Sequence, residues 1–213
     1  KEYRRQRQMC IRDSAKATDF GKEIIPDSIA HYKVLSYQYD GYWTDIGNIY
    51  SFFEANIALT EAIPPFNLFD SAQTIYTRPR MLPPAKISGT MIDRAIIAEG
   101  SIIHAASISQ SVVGIRSRIG KDTVVKNVYI MGCDYYETID QINEKTQAGK
   151  PILGIGERCI IEDAIVDKNC SIGNDVVIKG GAHLEKTDHP LYTIKDNIVV
   201  IKKGAVIPNG FVI

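Results

Sequence analysis

Over the C-terminal half of the chain an aliphatic residue returns about every six positions, and the residue after it is often glycine. Val113, Ile119 and Val125 step in this way, as do Ile155 and Ile161, Ile172 and Ile178, and Ile201, Ile207 and Ile213. Gly114, Gly120, Gly156 and Gly173 follow their aliphatic neighbours directly. A small or β-branched residue stands four places on: Ser101 after Ile97, Ser117 after Val113, Thr123 after Ile119, Val176 after Ile172. A period of six fits neither the 3.6-residue turn of a helix nor the alternation of a simple strand. It fits a left-handed parallel β-helix of the hexapeptide-repeat type, in which three short strands make one triangular coil, each aliphatic points inward and a small residue takes the corner. Glycine at a corner requires no Cβ clearance. A β-sandwich also alternates Val/Ile strands with turns, but it gives no reason for separate runs to share one phase.

The period fixes the organisation of the rest. Coils are expected from about Ile87 to Ile130 and again from Ile152, so that 87–213 forms the β-helix domain with an inserted loop at 132–150. That loop is polar and carries helix-forming residues from Thr138 to Ala148, which suits a segment that leaves the prism. Residues 64–86 contain Pro64, Pro65, Pro79, Pro83 and Pro84 and read as an extended linker. Before it the pattern changes to a strand at His31–Tyr39, a turn at Asp40-Gly41 and a helix over Ile49–Leu59, where Ile49, Phe52, Phe53 and Ile57 share one face. Pro64-Pro65 lies beyond that helix and stops it.

Residues 1–14 sound different, with Arg4, Arg5, Arg7 and Arg12 set among Gln and Ser. A basic nucleic-acid arm, a solvated helical turn and a non-native segment all fit such a run. The string from Arg5 to Ser14 resembles translated sequencing-adaptor sequence, and 1–14 is read as a non-native scar.

Composition adds exclusions. The 213 residues are 45% hydrophobic and 23% charged, enough for a sizeable core, and Lys+Arg 25 balances Asp+Glu 25, which gives no overall attraction to nucleic acid or an anionic membrane. Any anion site must therefore be local. No apolar run has the length of a membrane span and no apolar segment follows the basic start, so a cytoplasmic protein is expected. Cys10, Cys133, Cys159 and Cys170 lack metal-site spacing, and Cys159 and Cys170 fall at coil positions where a free buried thiol packs.

Candidate chemistry begins with Gly41-Tyr42-Trp43-Thr44-Asp45-Ile46-Gly47-Asn48. A carboxylate among aromatics just before a helix suits a metal ion or a sugar hydroxyl, and it suits equally well a helix N-cap. From the string alone both readings of Asp45 stay open.

Asp19-Phe20-Gly21-Lys22-Glu23-Ile24-Ile25-Pro26, Tyr42 to Gly47, Glu54-Ala55-Asn56 and Tyr76-Thr77-Arg78-Pro79-Arg80-Met81-Leu82-Pro83-Pro84 closely resemble glucose-1-phosphate adenylyltransferase (ADP-glucose pyrophosphorylase). Ser111 to Gly114, Met131 to Thr138 and Ile207-Pro208 extend the resemblance, which covers nearly everything after residue 15 and is nearest the cyanobacterial and plant type. It implies that 15–63 is the α/β tail of a nucleotidyltransferase domain joined to the β-helix. The implied reaction joins ATP and glucose-1-phosphate into ADP-glucose and pyrophosphate for glycogen or starch synthesis, with Mg2+ as cofactor, in cytoplasm or plastid stroma. The family's second metal-binding aspartate maps onto Asp45. Its Gly-rich phosphate loop, first metal aspartate and sugar-phosphate lysine have no counterpart before residue 19, so the chain as given is expected not to turn over by itself.

The resemblance also assigns an effector site. Lys168 in Ile165-Val166-Asp167-Lys168-Asn169 and Lys203 in Val200-Ile201-Lys202-Lys203-Gly204-Ala205 resemble segments that bear activator lysines, and Arg80 resembles an arginine at a family anion site. These three would take 3-phosphoglycerate or competing phosphate through charge-assisted hydrogen bonds. Without the resemblance, each reads as a solvated surface cation. With coils of about eighteen residues, two coils would bring Lys168 and Lys203 to the same side. A homo- or heterotetramer is implied. His104, His183 and His189 matter only to a hexapeptide-repeat acyltransferase, a reading that leaves 42–47 and 78–84 unexplained. Another sugar-nucleotide pyrophosphorylase, and a non-catalytic assembly module, remain the competing functions.

Overall fold

The computed structural model describes residues 19–213, so the segment read as a scar lies outside the described residues. The described chain divides after Gly41 into two units. In the first, Asp19 accepts a hydrogen bond from Lys22 N at 2.8 Å and opens a short π-helical stretch, Phe20–Ile24. It runs into α1 (Ile25–His31), whose first turn carries Pro26, where the missing N–H costs nothing. The strand expected at His31–Tyr39 is absent: the helix takes His31, and 33–40 has no regular structure. A strand must pair its backbone groups with a neighbour, and 19–41 contains no second strand to supply them.

The second unit is built on a parallel β-helix. Its first face carries β1 (Lys86–Ile87), β3 (Ile102–Ile103), β5 (Arg118–Ile119), β7 (Gly154–Ile155), β9 (Ser171–Ile172) and β14 (Val206–Ile207), in that order. The other two faces are the two halves of longer strands, β2 (Met91–Ile97), β4 (Ser107–Val113), β6 (Val124–Ile130) and β8 (Ile160–Val166), with β10 (Val177–Lys179) and β13 (Ile198–Ile201) each pairing one half of β8. The aliphatics of the six-residue pattern stack in register. Ile103, Ile119, Ile155, Ile172 and Ile207 form one inward column, and Ile108, Val125, Ile161 and Ile178 a second. Val113, Ile130, Val166 and Ile201 form the third. All are buried, each contributing on the order of 1.5–3 kcal/mol.

Successive coils advance by 16 residues (Ile87 to Ile103) or 17 (Ile155 to Ile172), shorter than the eighteen expected. The glycines follow close approach rather than unusual backbone angles: a Cβ on Gly120 would lie 2.5 Å from Gly156 O, and one on Gly156 2.4 Å from Gly173 O. The long strands bend instead at Arg94, Gln110, Asn127 and Asp163, all left-handed, with φ between 46° and 54°. The small corner residues are hydrogen-bonded rather than merely small. Ser101 Oγ donates to Ala98 O and Gly114 O, Ser117 Oγ to Gly114 O, and Thr123 Oγ1 to Gly156 O while accepting from Cys159 N.

Two excursions interrupt the coils. The expected insertion contains α3 (Ile139–Gln147), started by a capping box between Thr138 and Gln141. The second, which the period did not foresee, is antiparallel: β11 (Thr187–Asp188) pairs β12 (Tyr192–Lys195), which pairs β13. The helix expected over Ile49–Leu59 forms as α2 (Ile49–Ile57) with a 3-10 turn to Thr60, and its Phe53 and Ile57 pack with Ile165 and Ile198 on the outside of the prism. Residues 64–85 are largely irregular, as the proline spacing predicts. Cys133, Cys159 and Cys170 are free and buried. Burial pushes the Cys170 thiol up to about 12. Among the described residues no helix is long and apolar enough to cross a membrane.

Candidate functional site

At the corner before the first face, one backbone hydrogen bond per coil builds a column: Gly100 N to Pro83 O, Arg116 N to Glu99 O, Cys133 N to Ile115 O, Asn169 N to Gly132 O and Gly204 N to Lys168 O. The last bond places the Lys203 turn directly on the Lys168 turn, about one strand spacing (~4.8 Å) away. The lysines are therefore brought together by a single coil step, not by two. The antiparallel excursion at 180–197 takes up the remaining sequence separation.

Beneath them sits a carboxylate that the sequence did not single out. Lys168 Nζ lies 2.8 Å from Asp134 Oδ1, and Asn169 Nδ2 donates to Asp134 Oδ2 at 3.0 Å. Asn169 Oδ1 in turn accepts from Asp134 N at 2.8 Å. The Lys168 and Asn169 hydrogen bonds hold the Asp134 carboxyl below the usual carboxylate range, and the Lys203 charge adds to this. Lys202, by contrast, turns to Asp188 Oδ1 at 2.6 Å. Lys203 is exposed and has no ion-pair partner among the described residues. The corner thus presents one paired and one free ammonium group. In the sequence Asp134 stands within the Met131 to Thr138 segment of the resemblance and at the start of the insertion, with no role assigned to it.

Arg80 does not join them. It is exposed in the irregular segment before Leu82, which packs beside Gly100 at the first-coil end of the column. It makes no ion pair among the described residues.

Asp45 is exposed, and its Oδ1 accepts from Gly47 N at 3.0 Å in a local turn. The capping reading is overturned, because the N-cap of α2 is Asn48, whose Oδ1 accepts from Ser51 N at 2.8 Å. Asn48 adjoins the helix and so reaches that donor; Asp45, three residues earlier, closes its own turn. Among the described residues no group of three or more His, Cys, Asp or Glu gathers as a metal site. A single hard oxygen donor suits one position on a Mg2+ ion that keeps waters and substrate oxygens, and no more than that.

His189 Nδ1 accepts from Leu191 N and its ring stacks on Tyr192 at 4.6 Å, while His104 and His183 are exposed.

Residues 80–212 match the family model described as the GLGC left-handed parallel beta-helix domain. Residues 3–62 match the model described as nucleotidyl transferase. The first match covers more than half of the chain and supplies the hand of the helix that the coil columns build. The chain therefore belongs to the family of ADP-glucose pyrophosphorylase-like proteins, sugar-nucleotide pyrophosphorylases in which a nucleotidyltransferase part is joined to this left-handed β-helix.

Proposed function

We propose that the protein acts as a glucose-1-phosphate adenylyltransferase, forming ADP-glucose and pyrophosphate from ATP and glucose-1-phosphate for glycogen or starch synthesis in the cytoplasm or a plastid. In this reading the described residues supply the assembly and effector-binding part of a tetrameric enzyme, of the cyanobacterial or plant type. The observation that carries it is the corner at which Lys203 stacks one coil above Lys168, in a chain matched by both family models.

The corner's chemistry follows from its charges. Asp134 is an internal anion already seated on Lys168 Nζ. A phosphorylated acid such as 3-phosphoglycerate, or inorganic phosphate, would displace that single carboxylate and engage both ammonium groups with more oxygens. Two neighbouring ammonium groups repel, so an incoming dianion also relieves a standing cost, and its affinity includes that relief. Asp134 keeps the corner ordered when no effector is present and sets the threshold an effector must exceed. Arg80 joins such an anion if the exposed connector carries it to the corner.

Asp45 would serve as one oxygen ligand to Mg2+, whose chemistry when bound is neutralisation of phosphate charge. The local turn to Gly47 N engages one carboxylate oxygen, Oδ1.

Assay of the full-length parent with each of four nucleoside triphosphates and glucose-1-phosphate tests the proposal. Pyrophosphate release that depends on ATP supports it; preference for UTP, GTP or CTP assigns the chain to another pyrophosphorylase.

A further inference from the structure

The 132–150 insertion is tied down more firmly than a free loop. The Glu137 side chain, only 7% exposed, pairs with Lys145 and accepts a hydrogen bond from Leu153 N at 2.8 Å, so one buried carboxylate anchors both sides of 146–152. That segment stands over the face of β5, β7 and β9, and an open cleft of about 540 Å³ lies between them. The volume is that of small-molecule sites. It sits at the far end of these short strands from the Lys168–Lys203 corner.

The floor is Gly120, Gly156 and Gly173, where coil stacking forbids side chains and leaves a smooth backbone shelf, and Pro151 and Ile152 form an apolar wall. Arg118, Lys121 and Lys150 border the cleft, and among the described residues none of the three has an ion-pair partner. The one carboxylate in the lining, Glu157, is engaged by Arg158 Nη1 at 3.0 Å. Asn209 Oδ1 accepts from Asn174 N, and Asn174 Oδ1 accepts from Glu157 N. These bonds use the acceptor end of each amide and leave its NH2, a donor only, without an acceptor among the described residues. His104 and Thr146 complete the polar lining, whose charged side chains are cationic apart from the already engaged Glu157.

From this juxtaposition we infer that the cleft binds a phosphate ester of nucleotide size, its phosphate held by Arg118, Lys121 and Lys150 and its organic body laid on the glycine shelf against Pro151 and Ile152. Calorimetric titration of the 213-residue chain with uridine monophosphate, uridine and inorganic phosphate tests it. Uridine monophosphate should bind at least roughly tenfold more tightly than either fragment, since charge-assisted contacts and the shelf both contribute. Lys121→Gln with Lys150→Gln, both exposed side chains, should weaken it at least roughly tenfold with no change in melting temperature. Lys126→Gln, an exposed lysine on β6 that does not line the cleft, should leave it within about twofold. Absent binding, binding equal to that of uridine or of inorganic phosphate alone, indifference to the double variant, or equal loss in Lys126→Gln would each overturn the assignment.

Discussion

Lys168 and Asp134 stand 34 positions apart in sequence and 2.8 Å apart in space, one coil step apart on the same corner of the prism. The carboxylate occupies a place on Lys168 that an effector oxygen would otherwise take. Asp134→Asn keeps size and one hydrogen-bond acceptor but removes the charge. In the full-length enzyme it should lower the activator concentration needed by roughly two- to fivefold, the scale of an exposed ion pair. Activation curves with 3-phosphoglycerate check this. An unchanged half-saturation concentration would show that Asp134 does not compete.

The same pair sets a pH expectation. Its folded-state value is depressed, so the latch is complete above the ordinary carboxylate range, near about 3.9, and is lost only as pH falls below that range through the folded value. The corner is thus not switched by pH near neutrality. A carboxyl-carbon NMR titration of Asp134 should give a midpoint below that of a model peptide and move back toward the peptide value in Lys168→Ala, with the Asn169 hydrogen bond and the Lys203 charge still lowering it.

Coil stacking makes the glycine column intolerant of any side chain. Gly156→Ala puts a Cβ 2.4 Å from Gly173 O, with backbone rather than a flexible side chain in the way. It should cost roughly 2–3 kcal/mol, measured by denaturant unfolding. Full stability in this variant would mean that the coils are less closely stacked than described.

Corner hydroxyls are predicted to matter as hydrogen-bonding groups. Thr123→Val preserves shape but strands Gly156 O and Cys159 N, both of which Thr123 Oγ1 satisfies. The loss should be about 1–3 kcal/mol. A neutral result would reduce Thr123 to a β-branched filler.

Much of the fold was legible because inward aliphatics and close-packed glycines repeat with the coil itself. The left-handed bends at Arg94, Gln110, Asn127 and Asp163 were not, since the coil imposes that backbone on whatever residue stands there. The strand expected at His31–Tyr39 failed for a related reason: local pattern cannot supply a pairing partner. At the site, Lys168 and Lys203 were found through resemblance, and the separation argument joined them for the wrong reason, because the antiparallel excursion at 180–197 was hidden in a polar stretch. Asp134 was invisible because only the column brings its turn beneath Lys168, and Asn48 took the cap from Asp45 because it is the residue that adjoins the helix.

The central claim is that Lys168 and Lys203 form one anion-binding corner that governs activation. The most direct measurement is the 3-phosphoglycerate activation curve of the full-length enzyme carrying Lys168→Ala or Lys203→Ala. Each variant should need roughly tenfold more activator, as expected for losing one charge-assisted contact, with unactivated turnover nearly intact. Activation curves that superimpose on the unmodified enzyme in both variants would contradict the account.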